Sequence, residues 1–195
     1  MSVRVAQLRC PSCGWPLEIG MTECPAGHPV YIQTFNSIND LPLPTVKRCL
    51  QTYRGSQESA AGNPGINKSI AFCCLKLKLY DQAAAAFEKA IADNFDDSEL
   101  YFYAAVTLLK GKKAFVAPRN VIDQISEYIE AALAIEPKGI YYYFAAYIKY
   151  DYFERKHFRT SPDYRHYLSR ARGGVSPADI VELFALLNVD NPFKS

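Results

Sequence analysis

Three cysteines and a histidine lie within nineteen residues of one another, in the runs Cys10-Pro11-Ser12-Cys13-Gly14 and Cys24-Pro25-Ala26-Gly27-His28. Thiolate sulfur and imidazole nitrogen are the donors that Zn2+ takes in a tetrahedron. Two cysteines two residues apart reach one ion only through a tight turn, and proline with glycine makes such turns. Pro11 and Gly14 supply the first turn and Pro25 and Gly27 repeat the device before His28. The ten residues between Cys13 and Cys24 suit a hairpin that returns the chain to the metal. Four protein ligands leave no open coordination position, so the predicted site is structural and not catalytic. Two other readings use the same residues: accidental thiols in a loop-rich hairpin, or a redox pair of Cys10 and Cys13. A redox pair normally opens a helix in a βαβ pattern. Here no helix follows, and two further ligands stand nearby.

Elsewhere the sequence is poor in reactive constellations. It has no phosphate-cradling glycine loop, no dinucleotide fingerprint and no His-Glu-x-x-His pair. His166 has Asp163 three residues before it, and an acid–base pair can be drawn from them. No nucleophile or metal partner accompanies it, so His157 and His166 read as surface histidines of a basic segment. No catalytic residue is assigned, and an enzyme is not expected.

The elements that must carry these residues follow from composition and pattern. The 195 residues suit one ordinary domain with a small module attached. With 49% apolar residues and a net charge of +2, neither global disorder nor a charge-selected partner is implied. Met1 to Leu8 lacks the apolar core of a secretory signal. The longest apolar run, Ile140 to Ile148, is too short to span a bilayer as a helix. The chain therefore reads as cytoplasmic, without a membrane partner. Cys49, Cys73 and Cys74 fall in helical, apolar contexts, where a reducing compartment leaves them as small buried hydrophobes.

Residues 1–33 read as short β segments joined by Gly/Pro turns. Residues 34–63 are a linker and a short helix, whose apolar face is Val46, Cys49, Leu50 and Tyr53. From 64 to 195 the pattern is helical throughout: Asn67 to Leu79, Asp81 to Asp93, Ser98 to Leu109 with Ser98 as N-cap, Arg119 or Asn120 to Ile135, Ile140 to about Phe153, and Pro162 to Arg172. Lys110 to Pro118 is a loop. Ser176-Pro177-Ala178-Asp179 starts a last helix through Leu187, with serine capping and proline in the first turn. The fold class expected is mainly α.

Two resemblances refine this. Cys10-Pro11-Ser12-Cys13-Gly14 matches the first knuckle of the zinc-ribbon family in full. Cys24-Pro25-Ala26-Gly27-His28 departs from the second by one extra residue and a terminal histidine. The resemblance covers about 30 residues and implies a small β module holding structural zinc at Cys10, Cys13, Cys24 and His28. Ala83, Phe87 and Ala90 sit at the three characteristic second-helix positions of a tetratricopeptide repeat, in a frame running from 64 to 97. Asn67 and Phe95 depart from that frame, where an aromatic and a proline are usual. The next unit has Tyr101 and Ala105 in place and closes on Ile129-Glu130-Ala131-Ala132-Leu133-Ala134-Ile135-Glu136-Pro137, about eight residues late because of an insertion at Lys110 to Pro118. A third begins at Ile140, with Tyr143, Tyr147 and Tyr150 in register, but its second helix lacks the alanine signature. The resemblance implies an antiparallel helical-hairpin solenoid, covered at its end by the helix 176–187.

In that family the first helices line a concave groove that binds protein segments. The corresponding positions here are Lys68, Phe72, Phe102, Val106, Tyr141, Phe144, Ile148 and Tyr152. The implied function is a protein-binding adaptor whose partner is another protein or peptide segment. Of the carboxylate-clamp positions only Lys68 fits, since Phe72, Tyr103, Tyr141 and Ala145 hold the others. The same aromatics, if buried, are simply core. The alternative is nucleic-acid binding through the zinc ribbon or the basic segment 149–172, which has seven Lys/Arg against Asp151, Glu154 and Asp163. Against the ribbon version, Arg4 and Arg9 are balanced by Glu18 and Glu23.

Overall fold

The computed structural model describes residues 10, 13–16, 23–27, 31–39, 41–56 and 64–193. The chain divides into two compact units, Met1–Phe95 and Asp96–Ser195.

In the first unit, the short helix α1 (Asn36–Asn39) precedes α2 (Leu43–Ser56), α3 (Pro64–Lys76) and α4 (Tyr80–Asp93). The alternation of small and large residues explains the α3–α4 pair. Ala83, Ala86 and Ala90 are buried beside Phe87, so the two backbones approach and one ring fills the space left. That ring meets Phe72 of α3 edge-on at 5.7 Å. The turn between the helices is closed by Lys78, at φ 58, and by a bond from Leu79 N to Cys74 O. Val46, Cys49, Leu50 and Tyr53 of α2 are all buried, as their period predicts.

In the second unit α5 (Ser98–Leu108) pairs with α6 (Arg119–Ile135), and α7 (Gly139–Ile148) pairs with α8 (Tyr164–Ala171). A 3-10 turn, Ala114–Val116, interrupts the loop after α5. α7 continues as a π-helical turn, Lys149–Phe153, and a 3-10 turn, Glu154–Lys156. α9 (Pro177–Leu187) follows, with Ser176 and Asp179 forming a reciprocal capping box. One cap differs from expectation. Asp97, not Ser98, caps α5 by accepting from Glu99 N. Ser98 is buried in the first turn and bonds the Tyr141 hydroxyl at 3.1 Å.

The molecule is thus mainly α. No strand occurs among the described residues; Pro16 and Glu23 carry only isolated β-bridges. Of the expected β segments, Trp15–Pro16 and Tyr31–Ile32 are described and form no strand, while Val3, Val5, 17–19 and Val30 lie outside the described residues. No described helix is long and apolar enough to cross a membrane.

Candidate metal centre and partner surface

Cys10 begins a closed turn. Its N–H donates to Trp15 O at 2.7 Å, and its carbonyl accepts from Gly14 N at 2.8 Å. Gly14 closes that turn at φ +76, a left-handed conformation that a side chain would strain. The second turn repeats the device in shorter form: Gly27 N donates to Cys24 O at 2.8 Å, with Gly27 at φ +75. These paired turns bring together three thiols that the sequence separates. The Sγ atoms of Cys10, Cys13 and Cys24 lie within 4.8 Å of one another, with Cys10 and Cys24 buried and Cys13 exposed. Cys13 Sγ stands 3.7 Å from Cys24 Sγ.

That distance excludes a disulfide and is compatible with a shared metal. A disulfide requires about 2.05 Å between sulfurs. Two thiolates on one tetrahedral zinc, each about 2.3 Å from the metal, are separated by about 3.8 Å. The thiol triangle could therefore hold a metal ion, with Cys10, Cys13 and Cys24 as its ligands. The expected fourth ligand, His28, lies outside the described residues. The remaining cysteines are of another kind. Cys49, Cys73 and Cys74 are buried, and burial pushes all three thiols above their ordinary range. For Cys73, its neighbours Cys49 and Cys74 add to the effect. Such thiols stay protonated near neutral pH and serve as packing groups.

The expected groove is not a solvent-lined surface. Phe72, Phe102, Val106, Tyr141, Phe144, Ile148 and Tyr152 are each at most 5% exposed, and Lys68 is half-buried with its Nζ 5.5 Å above the Phe72 ring. Their neighbours explain the burial. Phe72 lies between Phe35 and Phe87, each 5.7 Å away. Phe102 packs on Tyr141 at 4.7 Å and on Phe144 at 5.8 Å. The chain's own C-terminal segment covers the adjoining face of α7. Phe184 of α9 meets Tyr147 at 5.3 Å and Tyr143 at 6.2 Å, and Phe193 meets Tyr143 and Tyr150. Register alone could not reveal that a later segment of the same chain seals this face.

The acid–base pair imagined at 163 and 166 is also a structural device. The Asp163 carboxylate accepts the His166 backbone N–H at 3.1 Å and so caps α8. That bond, first among its causes, holds the carboxyl below its usual range.

One surface feature escaped the sequence reading. Asp151, buried on the π-helical turn, accepts from Phe115 N at 2.8 Å, from the Tyr147 hydroxyl at 3.4 Å and from Arg155 Nη1 at 2.5 Å. Burial, and then the Asp151 charge, pushes the Tyr147 phenol well above its ordinary value. Arg155 and Lys156 in turn lie over the exposed Phe115 ring. The available signal was the apolar triplet Ala114-Phe115-Val116 inside a segment otherwise read as a polar loop.

No protein-family model and no curated protein matches this chain.

Proposed function

We propose that the chain is a helical, protein-binding adaptor whose N-terminal module is fixed by a structural zinc ion. Cys10, Cys13, Cys24 and His28 are its ligands. The single observation that carries the metal reading is the thiol triangle, with its Cys13–Cys24 sulfur separation close to a tetrahedral edge. Saturated ligation assigns the ion a folding role, because binding energy at such sites is folding energy. The adaptor reading rests on the packed helix pairs and on the small–large–small device of Ala83, Phe87 and Ala90, which is the resemblance to tetratricopeptide repeats. With the first-helix aromatics buried, partner contact moves to exposed side chains.

Elemental analysis of protein purified without added metal tests the centre. About one zinc per chain is expected. Cys13→Ser should lose it, while Cys73→Ser, in the buried packing set, keeps it. Metal-free protein whose Cys10, Cys13 and Cys24 thiols all react freely with a thiol reagent would remove the zinc reading. Nucleic-acid binding is the second reading, favoured by the cations gathered along 149–172.

A further inference from the structure

The second unit presents a face on which cations and apolar groups alternate. The 3-10 turn leaves Phe115 36% and Val116 64% exposed, and Phe158 is 50% exposed. Between these apolar groups stand two cations in fixed positions. The Arg155 guanidinium lies 4.7 Å above the Phe115 ring. The Lys156 ammonium lies 5.0 Å from the same ring and 3.8 Å from that of Tyr152. Tyr152 leads on to Phe158 at 6.3 Å. Asp151 holds the arrangement from beneath, since its one carboxylate ties the Phe115 amide to Arg155.

A solvated basic face does not look like this. Long cationic side chains at a surface normally keep their heads in water and their rotamers free. Here the heads are laid on rings, so much of the ordering cost of binding an anion is met before the partner arrives. No carboxylate is within ion-pairing distance of Lys156 among the described residues. Residues 110–119 add Lys110, Lys112, Lys113 and Arg119 with no acidic residue in that run, although Arg119 pairs with Asp123 and Arg155 with Asp151.

The geometry also selects among anions. Tyr152 is buried and two cations already lie over the Phe115 ring, so of these three rings Phe158 alone is open to stack a nucleobase, where single strands usually use successive rings. A polypeptide needs no such stacking. Its carboxylates can accept the outward N–H groups of Arg155 and Lys156, and apolar side chains between them can pack on Val116 and Phe158. We propose that this face binds an acidic segment of a partner protein in which carboxylate and apolar side chains alternate. The proposal rests on the adaptor reading and names its partner's chemistry.

The test uses the full-length, zinc-containing protein and three labelled probes followed by fluorescence anisotropy. These are a peptide of alternating Glu and Leu, its Gln-for-Glu counterpart, and single-stranded oligothymidine. The Glu peptide should bind with an affinity that falls as salt rises, and the Gln peptide at least about tenfold more weakly. Lys156→Gln and Phe158→Ser should each weaken the Glu peptide at least about fivefold, with thermal unfolding unchanged. Val116→Glu, at the most exposed of the three apolar positions, should repel it. Equal binding of the Glu and Gln peptides, or indifference to all three substitutions, overturns the proposal. Tighter binding of oligothymidine than of the Glu peptide overturns it in favour of nucleic acid. Zinc content measured on the same samples separates these failures from a failure of the metal reading.

Discussion

A methyl group added at Gly139 would meet the carbonyl carbon and oxygen of Gly174 at 2.2 Å, which is backbone that cannot swing aside. Gly139→Ala is therefore expected to destabilise the second unit by about 1–3 kcal/mol despite alanine's better helix propensity. Gly174→Ala is the control, because its nearest neighbour lies at an ordinary 3.5 Å. Urea unfolding of the two variants decides it, and equal stabilities would contradict the account. Buried phenols set a second residue-scale expectation. Burial, first among the causes, raises Tyr103 and Tyr147 well above the ordinary tyrosine range. The folded state then holds protons that the unfolded chain releases near pH 10. The stability from these groups is complete below that pH and falls as pH rises above it. Tyr147→Phe should flatten this alkaline loss, as read by thermal unfolding across pH 9 to 11. At this scale the sequence was most informative where chemistry is local. The ligand spacing and the Ser176 cap could be read directly, because each depends on a turn of a few residues. The cap at Asp97, one residue before the expected Ser98, could not. Both are good cap residues, and the burial of Ser98 against Tyr141 decides between them.

The helices themselves were legible from apolar period, alanine content and the proline and glycine breaks. What the helices face was not. Phe102 and Phe144 are expected, on the resemblance, to line an open groove, yet here they pack on each other and on Tyr141 and Tyr147. Phe102→Ala and Phe144→Ala should each cost about 3–5 kcal/mol in chemical denaturation. Val181→Ala on the exposed side of α9 should cost less than about 0.5 kcal/mol. If the two phenylalanine variants kept wild-type stability, the rings would be surface after all. α9 belongs to the same argument. Ser176→Ala removes one half of its capping box and should cost about 1 kcal/mol. Because Phe184 and Phe193 lie on the tyrosines of α7, fraying of α9 should expose those rings, seen as faster hydrogen exchange in α7. The π-helical turn was invisible to periodicity, since one extra residue per turn looks the same in sequence as an ordinary helix end.

At the scale of the molecule, each unit has a core of its own, and the thiol triangle belongs to the first. Residues 31–39 are tied to α3 through Ser69, Phe72 and Lys76. Ile32 N donates to Ser69 Oγ at 2.9 Å, Phe35 packs on Phe72, and Lys76 Nζ donates to Asn39 Oδ1 at 2.8 Å. Removing zinc should therefore loosen the thiol turns and the helices α2–α4 together, rather than the N-terminal residues alone. The second unit, with its own apolar cluster from Phe102 to Leu187, should melt unchanged. Calorimetry with and without a chelator should show one transition shifting and one staying. The ligand spacing predicts a small N-terminal module that depends on its metal; that residues 31–39 are tied to α3 is a tertiary fact that spacing does not encode. The central claim, a structural zinc held by three sulfurs and one imidazole, is tested most directly by X-ray absorption at the zinc edge of the purified protein. The account predicts three sulfur scatterers at about 2.3 Å and one nitrogen at about 2.0–2.1 Å, with no water in the shell. A shell dominated by oxygen, or protein carrying no zinc, would contradict it.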